Sequence, residues 1–65
     1  MWVVVYMAHS KKVAHIIENI LNSEGILLKL KPVYKNVASE ENCYEILVPQ
    51  SEGIEARAIL MENGY

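Results

Sequence analysis

The stretch Trp2-Val3-Val4-Val5-Tyr6-Met7 decides the fold, because it is the most apolar run of the chain and shows no polar alternation. β-Branched and aromatic residues fit the pleated, packed surface of a sheet, so this run predicts a β-strand. A strand that is apolar on both faces must be covered on both faces. The other elements of the chain, or a second chain, must supply that cover.

The short length of the chain limits the stability that it can reach as a monomer. Its 65 residues predict a single domain over 1–65, and a chain of this size buries only about 60% of its unfolded surface. Small domains are usually supplemented by disulfides, a metal or oligomerisation. Cys43 is the only cysteine, which excludes an intrachain disulfide and indicates a reducing compartment, the cytoplasm.

Charge and hydropathy exclude several partners. The formal net charge of −2 provides no basic footprint for nucleic acid. The apolar run at Trp2 has no basic region before it and no small-residue cleavage site after it, so we expect no signal peptide. The apolar runs are far shorter than the roughly 20 residues of a membrane helix, and we expect no membrane contact.

The first helix is predicted over about residues 11–24. Ser10 is a good N-cap, and Gly25 suits the left-handed position that ends a helix. Between them, apolar residues follow the spacing of an amphipathic helix: Val13, Ala14, Ile16, Ile17, Ile20 and Leu21.

Two further strands are predicted. Residues 26–31 alternate between apolar and polar, as in a half-buried strand, and Pro32 favours an edge or an end. Residues 35–42 have no sustained period and predict a loop. Residues 43–48 form the third strand, which Pro49 ends.

A second helix follows, with Ser51 as its N-cap and Asn63-Gly64 as its stop. Its predicted buried stripe is Ile54, Ala58 and Met61, flanked by Leu60.

The element order β-α-β-β-α predicts an α+β fold, a split β-α-β of the ferredoxin-like type without its last strand. We expect the sheet order 1-3-2, with both helices on one face. Strands one and three would pair in parallel through a right-handed crossover, and strands two and three would pair antiparallel. The predicted inward side chains are Val3, Val5, Met7, Ile26, Leu28, Leu30, Tyr44, Ile46 and Val48.

The sequence resembles the short prokaryotic signal-transducing proteins, a family of unknown function with a P-II-like, ferredoxin-like fold. The matching segments cover nearly the whole chain: Val5-Tyr6 with Ala8, Ala14 and Leu21, Glu24-Gly25-Ile26, residues 45–49 and residues 55–60. The resemblance implies a bacterial protein that acts in signalling. No P-II ligand site is carried over, because the segment 35–42 is short where those regulators have a long loop.

One candidate binding site is the sequence His9-Ser10-Lys11-Lys12 at the start of the first helix. The free N–H groups and the dipole of a helix N-terminus attract anions, and two lysines would add charge. The segment lacks a glycine-rich turn, so it matches neither a P-loop nor a dinucleotide fingerprint. The two interpretations are a sensor for an anion or nucleotide and an ordinary capped, solvated helix start.

No catalytic residues, metal site or cofactor are predicted. His9 and His15 lie six residues apart, whereas helical metal pairs need a spacing of three or four, and no Cys/His cluster completes a ligand set. Cys43 has no recognisable base for nucleophilic chemistry. A pyridoxal-phosphate decarboxylase is excluded because 65 residues cannot enclose that cofactor.

The second candidate site is a self-association surface on the outward side of the sheet. Strand one is an edge of the predicted sheet, and unprotected edges and apolar patches both favour association. We expect a homodimer, edge to edge or face to face, acting as a non-catalytic interaction module with an unknown protein partner. The alternative is a monomer whose tail, ending in Tyr65, covers strand one. The predicted surface comprises Trp2, Val4, Tyr6, Leu27 and Leu47.

Overall fold

The computed structural model describes residues 1–65 and confirms the predicted α+β fold with the order β-α-β-β-α. The sheet order is β1-β3-β2, and the buried residues of both helices join those of the sheet in one core. No helix has the length and apolarity needed to cross a membrane. The elements are β1 (Trp2–Ala8), α1 (Lys11–Ser23), β2 (Lys29–Pro32), β3 (Tyr44–Pro49) and α2 (Gly53–Glu62), with short 3-10 turns at Ser39–Glu41 and Gln50–Glu52.

The predicted parallel pairing of strands one and three is wrong. β3 runs antiparallel to both β1 and β2, so β1 and β2 are the two strands that run in the same direction. The crossover through α1 leaves a gap one strand wide between them. β3 fills this gap after the chain reverses in the β2–β3 connection, and a reversed chain can only pair antiparallel with both neighbours.

The first helix forms as its caps predict. Ser10 Oγ accepts a hydrogen bond from Val13 N at 3.1 Å. At the other end Gly25 adopts φ 78°, and Ile26 N donates to Leu21 O at 3.0 Å, which is the Schellman pattern. The helix ends at Ser23, one residue before the predicted end. Its buried side is Ala14, Ile17 and Leu21.

A β-bulge at Val5 overturns part of the predicted inward face of β1. Val4 pairs with Leu47, but the next paired residue is Tyr6, opposite Ile46, so Val5 is the extra residue. A one-residue insertion exchanges the two faces of the strand beyond it. Tyr6 therefore packs against the core, and Met7, predicted inward, lies outward and 39% exposed.

β2 is shorter than predicted, because its pairing with β3 begins at Lys29 rather than at Ile26. The predicted inward residues of this segment nevertheless face the core, since Ile26 is buried and Leu28 and Leu30 are partly buried against it. The predicted inward residues of β3, namely Tyr44, Ile46 and Val48, are all buried.

The predicted buried stripe of the second helix is wrong. Ile54 and Met61 are 85% and 75% exposed and Ala58 is exposed, whereas Gly53, Ala56, Ile59 and Leu60 are buried. Gly53 explains the orientation, because a Cβ there would lie 3.2 Å from Val3 Cγ2, so the helix start approaches β1 closely. Ser51 is not the N-cap; it lies in the preceding 3-10 turn.

The bulge can be tested by comparing Tyr6→Ala with Met7→Ala. We expect Tyr6→Ala to lower the free energy of unfolding by about 2 kcal/mol or more, because it removes a ring packed on the core. Met7→Ala should cost less than about 1 kcal/mol, as expected at the surface. Urea unfolding of the protein at low micromolar concentration, followed by circular dichroism, measures both values, and a larger loss for Met7→Ala would mean that the bulge is absent.

Candidate functional site

The open face is the side of the sheet that carries no helix, and the strand register places its residues in rows. Val4 of β1, Leu47 of β3 and Lys29 of β2 form one row. The neighbouring row is Met7, Glu45 and Lys31, and Trp2 lies opposite Pro49 at the end of the sheet. The face is therefore apolar along β1 and cationic along β2.

The predicted self-association residues divide between three places. Trp2 and Leu47 lie half-buried on the open face, and Val4 lies there 40% exposed. Leu27 is exposed in the connection between α1 and β2. Tyr6 does not lie on this face, because the bulge turns it toward the helices, and Met7 replaces it.

A lysine covers part of this surface. Lys29 Nζ lies 4.2 Å from the ring centroid of Trp2, and a cation–π contact at an exposed site contributes about 0.5–1 kcal/mol. Since β3 lies between the two strands that carry them, the Lys29 side chain and the Trp2 indole approach each other across β3. The contact fixes the indole against the sheet while the ammonium group remains solvated.

Both edges of the sheet are protected. Arg57 Nη2 donates a hydrogen bond to Val4 O at 3.1 Å, next to the bulge in edge strand β1. The other edge, β2, has only four residues and combines two lysines with Pro32. Bulges, edge lysines, prolines and short strands all oppose pairing with another chain.

The C-terminal tail reaches β1 but does not cover the open face. Tyr65 N donates to Leu60 O at 2.8 Å, and the Tyr65 ring meets the Tyr6 ring edge to face at a centroid distance of 5.8 Å. Because Tyr6 points to the helix side, this contact extends the core. The tail therefore contacts strand one on the side opposite to Val4.

The predicted anion-binding residues surround the start of α1 without converging on one point. Ser10 Oγ is occupied as the helix cap, and Lys11 Nζ lies 3.5 Å from Ser39 Oγ. His9 and Lys12 are exposed. No pocket is found on the protein surface, so an anion would have to bind on an open surface.

Among the contacts that the sequence did not reveal, one joins a thiol to an imidazole. Cys43 Sγ lies 3.7 Å from His9 Nδ1, within hydrogen-bonding distance for sulfur. The antiparallel pairing of Ala8 with Tyr44 creates this contact, because it places His9, which follows Ala8, beside Cys43, which precedes Tyr44. A thiol beside an imidazole is one part of a nucleophilic site. No group of three or more His, Cys, Asp or Glu side chains that could hold a metal is present.

Asn42 holds the β2–β3 connection in place. Its side chain is buried, and its Nδ2 donates to Tyr34 O at 2.8 Å while its Oδ1 accepts from Tyr34 N and Cys43 N. The side-chain amide of Asn42 thus makes the hydrogen bonds to Tyr34 that the backbone of a paired strand residue would make, at the point where the β2–β3 pairing ends. This connection also carries Ser39, whose carbonyl accepts from Tyr44 Oη at 2.8 Å.

Comparisons with protein-family models, with curated proteins and with solved structures gave no match to this chain. The family resemblance of the sequence therefore remains a prediction.

The hydrogen bond between Ser39 and Glu40, beside Lys11 of α1, predicts a change in the pKa of Glu40. The hydrogen bond from Ser39 Oγ lowers the pKa of Glu40 below its ordinary value, assisted by the Glu40 backbone and by the Lys11 charge. Because the folded-state pKa is the lower one, this contribution to stability is present above the unfolded pKa and is lost as pH falls through the folded pKa. NMR titration of the Glu40 carboxyl carbon should show a larger upward pKa shift in Ser39→Ala than in Lys11→Met.

The anion hypothesis is tested by titrating the protein with inorganic phosphate and following its amide resonances. Binding at the helix start should shift Ser10, Lys11, Lys12 and Val13, with Lys12→Ala weakening the response. The absence of shifts up to millimolar phosphate, or shifts spread evenly over the chain, would remove this hypothesis.

Proposed function

We propose that this protein is a non-catalytic interaction module of the bacterial cytoplasm that self-associates, face to face, through its open face. The apolar half of that face carries the proposal: Trp2, Val4, Met7 and Leu47 adjoin one another on β1 and β3 without a covering element. Contiguous apolar patches on a small protein are typical of interaction sites.

The distribution of charge suits a two-fold contact. Lys29 and Lys31 lie on the edge strand β2, whereas the apolar residues occupy β1 and position 47 of the central strand β3, and Glu45 lies between Met7 and Lys31. An interface commonly has an apolar centre and a polar rim. When two copies meet about a two-fold axis through the apolar half, both pairs of lysines remain at the rim and keep their solvation.

The small core supports the same conclusion. Only 13 of the 65 residues are buried, and domains of this size are stabilised when oligomerisation adds buried area. Face-to-face association is favoured over edge-to-edge association because Arg57 occupies the carbonyl of Val4 at the β1 edge. Edge pairing would displace this hydrogen bond, whereas face pairing leaves it intact.

A regulatory role within signalling rests on the family resemblance alone. The lone thiol Cys43 supports the cytoplasmic location. The open face is favoured over the helix start as the binding surface, because the side chains of Ser10 and Lys11 already have hydrogen-bond partners within the chain.

Light scattering after size exclusion tests self-association. At tens of micromolar protein we expect a mass near twice 7.4 kDa, and Val4→Lys should bring it down toward the monomer, because it places a charge in the apolar half of the face. Val37→Lys is the matched control, since Val37 is a 39% exposed valine in the β2–β3 connection, against 40% for Val4.

Leu47→Lys separates face-to-face from edge-to-edge contact, because Leu47 lies on the central strand and away from both edges. The proposal expects this variant to be monomeric while its circular dichroism remains that of the folded protein. A monomeric wild-type chain at high micromolar concentration, or a dimer at tens of micromolar that survives both lysine substitutions, would contradict it.

A further inference from the structure

The outer stripe of α2 is a second unpartnered apolar surface, separate from the open face. It consists of Ile54, Ala58 and Met61, spaced by four and three residues along the side of the helix that points away from the core. This spacing is that of the d, a and d positions of a coiled-coil heptad. The large side chains at both ends are far more exposed than any apolar residue of the open face proper.

Charged residues flank the outer stripe asymmetrically. With Ile54 at d, Arg57 occupies position g on one side, and Glu55 and Glu62 occupy position e on the other. In a parallel coiled coil, the residue at position g of one helix lies beside a residue at position e of the partner helix. That partner residue is five positions later in the sequence. Residue 62 is five residues beyond Arg57, so the two carry opposite charges in the positions that would meet.

We propose that α2 is a docking site for α2 of a second copy of this chain, the two helices lying parallel about a two-fold axis. Ile54 and Met61 form the seam, Ala58 allows close approach between them, and Arg57 of each copy faces Glu62 of the other. The proposal does not rest on the open face, because the sheet and the outer stripe lie on opposite sides of the molecule.

The charges select this arrangement over its alternatives. An antiparallel pair would bring g to g and e to e, placing like charges together. A membrane surface is a poor match, because interfacial helices carry lysine and arginine on their polar side, whereas α2 carries Glu55 and Glu62 there. In the single chain Arg57 donates to Val4 O at the sheet edge, so the proposed contact requires its side chain to exchange that bond for the Glu62 carboxylate of the other copy.

The seam has three residues per chain, so the contact is weak and adds to the open-face association at higher protein concentration. Disulfide trapping detects such contacts without relying on mass in solution. Ala58→Cys in a Cys43→Ser background places one thiol at the proposed axis, and a redox buffer of reduced and oxidised glutathione drives exchange. We expect a disulfide-linked dimer from this variant and none from Asn19→Cys in the same background, because Asn19 lies exposed on α1.

Charge reversal tests the parallel register. Arg57→Glu and Glu62→Arg are introduced separately into the Ala58→Cys, Cys43→Ser chain, and the two products are mixed. Each homodimer then opposes like charges, whereas the heterodimer pairs opposite charges at both contacts. Mass spectrometry should find the heterodimer about tenfold more abundant than either homodimer, compared with about twofold for chance pairing.

The double variant Arg57→Glu, Glu62→Arg controls for the lost bond to Val4 O, because it restores opposite charges without restoring that bond. It should form the linked dimer as readily as the unreversed chain. Adding Val4→Lys should leave trapping unchanged, which separates this contact from the open face. No linked dimer from Ala58→Cys, or heterodimer at the chance ratio, would overturn the proposal.

Discussion

The β-bulge at Val5 determines which side chains of β1 enter the core and which remain on the open face. Without the extra residue, Met7 would face the helices and Tyr6 would face outward, because strand faces alternate strictly. With it, Tyr6 reaches the Tyr65 ring, and Ala8 is completely buried opposite Tyr44. One unpaired residue thus both joins the C-terminal tail to the sheet and sets the composition of the open face.

This bulge also marks the limit of what the sequence could reveal. In β3, Glu45 marks one face as the outward one, so the buried face with Tyr44, Ile46 and Val48 was predicted correctly. The first helix was predicted from Ser10, Gly25 and a regular apolar period, all of which act through local geometry. In β1, residues 2–7 are all apolar. No polar residue therefore marks the position at which the inward and outward faces of the strand exchange.

The second helix was misinterpreted for a related reason. Its apolar residues surround the helix, and two different stripes of them fit the helical period. Only tertiary packing chooses between the stripes: Gly53 lies against Val3, which turns Ala56 and Leu60 inward and leaves Ile54 outside. The candidate contacts Cys43–His9 and Arg57–Val4 were equally out of reach, because they join residues 34 and 53 positions apart.

The two apolar surfaces differ in what their charges permit. On the open face, Lys29 lies over Trp2, so a partner that covers the indole must leave the ammonium group in water or lose its solvation energy. That constraint keeps a partner on the β1 and β3 side and away from β2. On α2, by contrast, the charges flank the seam and can pair across it, so they determine orientation rather than position. A chain with both surfaces can form one contact whose strength comes from apolar area and another whose specificity comes from charge. Because the two surfaces lie on opposite sides of one small core, the two proposed contacts do not compete, and together they would extend the proposed assembly beyond a pair.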